Sequence, residues 1–183
     1  GRGGVGMDNI DVVYAQEKGI KVINTPNASS HSVAELTFAH LFSGVRFLYD
    51  ANRNMPLEGD TRFNELKKDY ANGHELRGKT LGIIALGRIG RAVATIALGL
   101  GMKVIAYDPE QQEATITLSF FDGRSLDFVI KTISKKEVLE EADFITLHIP
   151  AQKEAVIGEK EFQQMKDGVG IVNVARGGVI DEE

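Results

Sequence analysis

The feature that most limits the fold of this chain is a run of short apolar segments separated by helix-length stretches. Segments 81–85, 103–107, 144–148 and 170–174 read as strands, and 89–98, 135–141 and 159–166 read as helices between them. Strands too apolar to face water on either side, joined by helices, imply parallel pairing through right-handed crossovers, with helices covering both faces. The fold class expected is therefore α/β, a doubly wound parallel sheet. Ser134 with Glu137 three residues on forms a capping box that starts the second of these helices.

The first strand runs into the turn Ala85-Leu86-Gly87-Arg88-Ile89-Gly90, then a helix, the strand 103–107 and Asp108. This order matches the dinucleotide-binding fingerprint, with Ala85 in the first glycine place. Gly87 lets the backbone approach a pyrophosphate and Gly90 lets the helix pack on the strand. The free N–H groups at the helix start, Arg88 and Ile89 among them, favour an anion. Asp108, at the end of the second strand, can accept hydrogen bonds from both ribose hydroxyls, which selects NAD. A 2′-phosphate there would place like charges within ~4 Å at a cost of up to ~4 kcal/mol, and the next residues, Pro109 and Glu110, bring no cation. The plain alternative for Asp108 is a turn or capping aspartate.

Upstream, residues 8–19 carry Ile10, Val13 and Tyr14 at helical spacing, with Gly19 as the C-cap, and 20–24 read as a short strand. Ser32 and Glu35 suggest a capping box at the head of a long helix over 32–49, striped by Val33, Leu36, Leu41, Val45 and Leu48. Residues 52–78, broken by Pro56, Gly59, Gly73 and Gly78, read as polar linker or surface. Within the α/β part, 114–133 interrupts the alternation: Ile116, Leu118 and Phe120, then Leu126, Phe128 and Ile130, alternate on either side of Asp122-Gly123. That pattern is an inserted β-hairpin, whose apolar face packs on its own domain edge or serves a subunit contact.

Composition narrows the chemistry. Without cysteine there is no thiol catalysis, Cys-ligated metal or disulfide, and no metal site is expected. The net charge of −5 has no long single-sign run, which argues against a nucleic-acid surface, and no apolar stretch reaches the ~18 residues of a membrane span. The 20 glycines gather at 1–6, 82–101 and 168–178. The chain opens inside a glycine-rich turn and stops at Asp181-Glu182-Glu183, where a helix is about to begin, so it reads as a fragment.

The residues together resemble the NAD-dependent D-2-hydroxyacid dehydrogenases. The likeness runs through Gly1-Arg2-Gly3-Gly4-Val5-Gly6-Met7-Asp8-Asn9-Ile10-Asp11, Asn24-Thr25-Pro26-Asn27, the stretch 78–90, His148-Ile149-Pro150 and Asn173-Val174-Ala175-Arg176-Gly177-Gly178. The resemblance implies an NAD-dependent, cytoplasmic oxidoreductase acting on a small-molecule substrate and working as a homodimer through the long helix. Residues 1–29 would be the tail of a substrate domain and 30–183 an NAD-binding domain, incomplete at its C-terminus. It further implies that Arg2, Gly3, Gly4 and Asn27 face substrate. Val5, Gly87, Arg88, Ile89, Gly90, Asp108, His148, Ile149, Val174, Ala175 and Arg176 would face NAD. Arg176 would be the catalytic residue, gripping the substrate carboxylate and 2-oxygen.

The family commonly has Thr where this chain has Val5 and Ile149. Family members also use a His and a Glu that follow the arginine motif, so the 183 residues alone are expected to turn over nothing. Within the family, 3-phosphoglycerate and glyoxylate or hydroxypyruvate stand as alternative substrates, and a non-catalytic NAD-sensing module is a third possibility. His40, on the long helix, is expected to be packed or at an interface, and His148 to be structural or cofactor-adjacent.

Overall fold

In the computed structural model, residues 1–182 are described. Four strands, β1 (Thr80–Ile84), β2 (Lys103–Tyr107), β5 (Phe144–Leu147) and β6 (Gly170–Asn173), form one parallel sheet in the order β2-β1-β5-β6. After β1 the chain moves outward to β2 and then returns to the far side of β1, so the strand order reverses between β1 and β5. In such sheets the crevice beyond the C-terminal strand ends at that reversal is where ligands sit.

Alternation along β1 explains the two layers. Leu81 and Ile83 point into the core shared with α2 (Ser30–Val45) and α4 (Arg88–Gly99), while Ile84 joins the opposite core with Val138 and Leu139 of α5 (Lys135–Glu141). Gly82 faces α5 too, and a Cβ there would lie 2.7 Å from Val138 Cγ1, so α5 sits as close as it does because this residue has no side chain. The Ser134/Glu137 capping box starts α5 as the spacing predicts.

The hairpin is present as β3 (Glu113–Ser119) and β4 (Ser125–Lys131), with Gly123 at φ 85° in the turn. Ala114 pairs with Ile130, Ile116 with Phe128 and Leu118 with Leu126, which puts one apolar face toward α4. Ala114, Ile116 and Ile130 are buried there, so the hairpin packs on its own domain. Its return strand then touches β2: Thr132 bridges Ala106 in parallel, and Ile133 N donates to Ala106 O at 2.9 Å.

Four expectations upstream need correction. Residues 20–24 form no strand, contributing an isolated bridge between Arg2 and Asn24, and Ile20 and Ile23 lie more than half exposed rather than buried as a core strand requires. The long helix begins at Ser30, capped by neither Ser32 nor Glu35, and its buried stripe is Ala34, Thr37, Phe38, Leu41 and Val45, leaving Leu36 outside. His40 is exposed on that helix, so of its two expected places packing within the chain is excluded and an interface is not. Residues 52–70 are helical rather than irregular: α3 (Leu48–Tyr70) passes through Pro56 and Gly59 and breaks at Arg62, with φ −122° and ψ 22°.

The α3 break is a fold-back. Asn54 Nδ2 donates to Tyr70 Oη at 3.0 Å, whereas 16 residues of straight helix would separate them by ~24 Å. Arg62 bonds Glu58 and Glu65 at helical spacing across the corner. Toward the start, α1 (Val12–Glu17) is capped by Asp11, and Gly19 ends it at φ 67° as expected. Among the described residues no helix is long and apolar enough to cross a membrane.

Candidate functional site

Parallel register builds the site. Ile84 is level with Tyr107 on one side and Leu147 on the other, and Leu147 is level with Asn173. The residues that follow each strand, Ala85, Asp108, His148 and Val174, therefore stand in a row along one sheet edge. That edge borders the crevice at the reversal of strand order.

The turn after β1 is tightly made. Ala85 has φ 76°, the left-handed region in which L side chains are strained, and its amide donates to Tyr107 O at 2.8 Å. Replacement by glycine removes that strain, which outweighs the smaller destabilisation from greater unfolded-state entropy, so Ala85→Gly is expected to stabilise the protein by about 1 kcal/mol in urea denaturation. Gly90 packs α4 against this turn: a Cβ would lie 2.2 Å from Ala85 O. Gly87 caps α4 with no side-chain hydrogen bond, and a Cβ there meets nothing within 4 Å. The helix thus opens on uncapped amides beside bare backbone and an exposed Arg88 that has no ion pair among the described residues, a cradle shaped for an anion.

Asp108 serves the turn itself. Its Oδ2 accepts from Leu86 N at 2.8 Å and from Gln111 Nε2 at 3.2 Å, and its Oδ1 accepts from Glu110 N at 2.9 Å. Asp108 thus fills the turn-aspartate role, with three donors from the turn on its carboxylate. The fold also supplies a cation that the neighbours Pro109 and Glu110 do not: Arg91 donates to Gln111 Oε1 and, through Nε, to Leu86 O at 3.2 Å. Arg91 and Gln111 were not legible as site residues, since they lie 17 and 3 positions from Asp108 and meet only when β2 closes on the turn.

Two buried side-chain atoms lack a hydrogen-bond partner among the described residues, Ser30 Oγ and His148 Nδ1. Ser30 opens on a cleft beside the head of α4, and His148 follows the end of β5. Ser30 lines an open cleft of about 350 Å³ that runs from Asn27, His31, Arg88 and Arg91 along α4 to Thr115 and Thr117 of the hairpin. Asn27 is thus brought to the head of α4.

His148 Nε2 lies 3.1 Å from Thr146 Oγ1, and burial lowers its pKa from 6.5 to about 4, so the ring is neutral at physiological pH. A histidine with a depressed folded pKa binds fewer protons folded than unfolded, so its contribution is present above 6.5 and is lost as pH falls toward 4. Between about pH 8 and pH 5 this group should remove about 2 kcal/mol of stability. Urea unfolding at both pH values, compared with His148→Leu, checks it: the variant should lose less.

At the far end of the row, Asn173 holds the turn that carries Arg176. Its Nδ2 donates to Arg176 O at 2.8 Å and its Oδ1 accepts from Ala175 N at 3.0 Å. The Arg176 guanidinium reaches Asp8 Oδ2 at 3.1 Å and passes over Gly6, where a Cβ would lie 2.1 Å from Nη2. Gly4 N donates to Thr25 Oγ1 at 2.8 Å and Asn24 Nδ2 to Val5 O at 2.9 Å, so the loop of Arg2, Gly3, Gly4 and Val5 is fixed beside Asn24 and Thr25. Arg2 itself is folded back, donating to Gly3 O at 2.7 Å and Gly6 O at 3.1 Å.

Residues 38–183 match the sequence model of the D-isomer specific 2-hydroxyacid dehydrogenase, NAD binding domain. The chain belongs to the D-2-hydroxyacid dehydrogenases. It is 46% identical to a hydroxypyruvate reductase of Thermotoga maritima, over all of this chain and 54% of that one. It is 42% identical to a D-3-phosphoglycerate dehydrogenase of Methanocaldococcus jannaschii, over all of this chain and 33% of that one. Among solved structures, D-lactate dehydrogenase from Aquifex aeolicus, complexed with NAD and lactic acid, superposes with a TM-score of 0.71 at 36% identity. That match covers 97% of this chain and 50% of that one. The chain thus spans about a third to a half of the relatives it matches. Its α/β sheet, uncapped α4 and glycine turn are what an NAD-binding domain of this family needs.

Proposed function

We propose that the complete protein transfers a hydride between NAD and a small D-2-hydroxy acid, with 3-phosphoglycerate as the substrate. The observation that carries the reading is the single row formed by the turn 85–90, Asp108, His148 and Arg176 at the sheet edge where strand order reverses. NAD, when bound, supplies the hydride acceptor. Gly87, Arg88, Ile89 and Gly90 hold the pyrophosphate, and Asp108 holds the adenosine ribose. His148, Ile149, Val174 and Ala175 flank the nicotinamide half together with Val5, while Gly3, Gly4 and Asn27 face substrate.

Arg176 grips the substrate carboxylate. Its side chain is 37% exposed and that of Asp8 is 62% exposed, and an ion pair this open is worth ~0–1 kcal/mol. An incoming carboxylate can therefore take the place of Asp8 on the guanidinium fork. The fork then orients the substrate and stabilises negative charge on the 2-oxygen.

The domain division at residues 29 and 30 is supported by α2 beginning at Ser30. A cytoplasmic homodimer is the assembly we infer, supported by Leu36, Phe42, Leu48 and Tyr49 lying exposed on α2 and the start of α3. Sedimentation of the complete protein should give a dimer. A second substrate reading, hydroxypyruvate or glyoxylate, is favoured by Arg2 being turned onto its own loop carbonyls through Nε and Nη1, which leaves only part of its fork for a phosphate. Steady-state kcat/KM on 3-phosphoglycerate against the two unphosphorylated acids decides between them, and a preference for the latter overturns the first reading.

A further inference from the structure

The acceptor capacity of Asp108 is nearly spent inside the protein. A carboxylate offers about four lone-pair positions, two on each oxygen. Oδ2 uses both of its positions, on Leu86 N and Gln111 Nε2, and Oδ1 uses one on Glu110 N. One position on Oδ1 is left for a ligand, whereas the adenosine ribose of NAD presents two hydroxyls.

Gln111 reaches Oδ2 because other groups place it there. Its Oε1 accepts from the Arg91 guanidinium, which has only donors, so the amide cannot flip and its NH₂ must face Asp108. A charged donor at one end of an amide polarises the other end and strengthens the bond it gives. The backbone is held separately: Gln111 O accepts from Thr132 Oγ1 at 2.7 Å and Gln112 O from Thr132 N at 2.9 Å, where the hairpin returns to β2. Removing the side chain therefore leaves the root of the hairpin tied.

We propose that Gln111 is a specificity-determining residue of the coenzyme site: by filling Oδ2 of Asp108 it restricts the carboxylate to one hydroxyl of the adenosine ribose. This rests on the reading of Asp108 as the ribose carboxylate. Arg91 and Gln111 act through Asp108 and need not touch the ligand.

Calorimetric titration of the complete protein with NAD and with its adenosine 2′-deoxy and 3′-deoxy analogues tests it. In the wild type, one analogue should bind about tenfold weaker than NAD and the other within about twofold, since a single hydrogen bond to a charged acceptor is at stake. In Gln111→Ala, and in the equally long Gln111→Met, both analogues should bind about tenfold weaker than NAD, because Oδ2 is then open to the second hydroxyl. A merely structural role for Gln111 would weaken all three ligands alike and leave their ratios unchanged. Equal losses for both analogues in the wild type, or unaltered ratios in the variants, overturn the proposal. Asp108→Ala separates the two layers: if it leaves the wild-type ratios untouched, the ribose reading fails. If it abolishes the discrimination while the Gln111 variants do not, only the role of Gln111 fails.

Discussion

Arg176→Gln is expected to lower kcat/KM of the complete protein about 10²–10³-fold while leaving its urea midpoint almost unchanged. The guanidinium spends its donors on Asp8 and on Ala175 O at 2.8 Å, and the Asp8 partner is an exposed carboxylate. Losing that pair costs the fold little, whereas a substrate carboxylate would lose both its fork and its charge partner. Arg176→Lys keeps the charge and gives up the planar fork, so it should fall between the wild type and Gln, chiefly through kcat. Kinetics and denaturation on the same preparations make the comparison. Activity of Arg176→Gln within threefold of the wild type would remove Arg176 from the site.

The α/β half was legible because burial forces its pattern. Strands covered on both faces have few places for polar residues, so β1, β2, β5 and β6 stand out as apolar runs, and β2 and α5 were placed to the residue. The hairpin was legible for the same reason at period two, with Gly123 marking its turn. The misreadings lie where tertiary partners outweigh local signals. Pro56 and Gly59 read as breakers, yet α3 accommodates both, because its two arms fold on each other through Asn54, Tyr70 and the Phe47 ring. Ser32 and Glu35 have capping-box spacing, but Ala34 and Phe38 are the residues that bury against the core, and this fixes the phase of α2 from Ser30.

The candidate site divides along the same line. Residues of the glycine turn and the strand ends are fixed by local backbone needs, so their spacing in sequence carries the message. Pairings across elements do not show in spacing. Arg91 with Gln111 depends on β2 closing on the turn, and Arg176 with Asp8 on a loop 168 positions away. Asp108 combines the two kinds: its place was readable, while the three donors that consume its lone pairs belong to the folded turn.

Two glycines three positions apart should respond to the same mutation in opposite ways. At Gly90 a methyl group would lie 2.2 Å from Ala85 O and 3.2 Å from Ile83 Cγ2, so α4 has to leave β1 to admit it. Gly90→Ala is therefore expected to cost about 3 kcal/mol of stability, with coenzyme affinity falling as the amides of α4 shift. At Gly87 the methyl group meets no protein atom within 4 Å, and φ of −69° suits alanine, so Gly87→Ala should unfold within about 0.5 kcal/mol of the wild type. The space it fills is that which the pyrophosphate would enter, and NAD affinity should drop about thirtyfold. Urea denaturation and calorimetric titration of both variants read the two effects independently. If Gly87→Ala binds NAD as the wild type does, the backbone there is not the phosphate cradle, whatever the stability of Gly90→Ala.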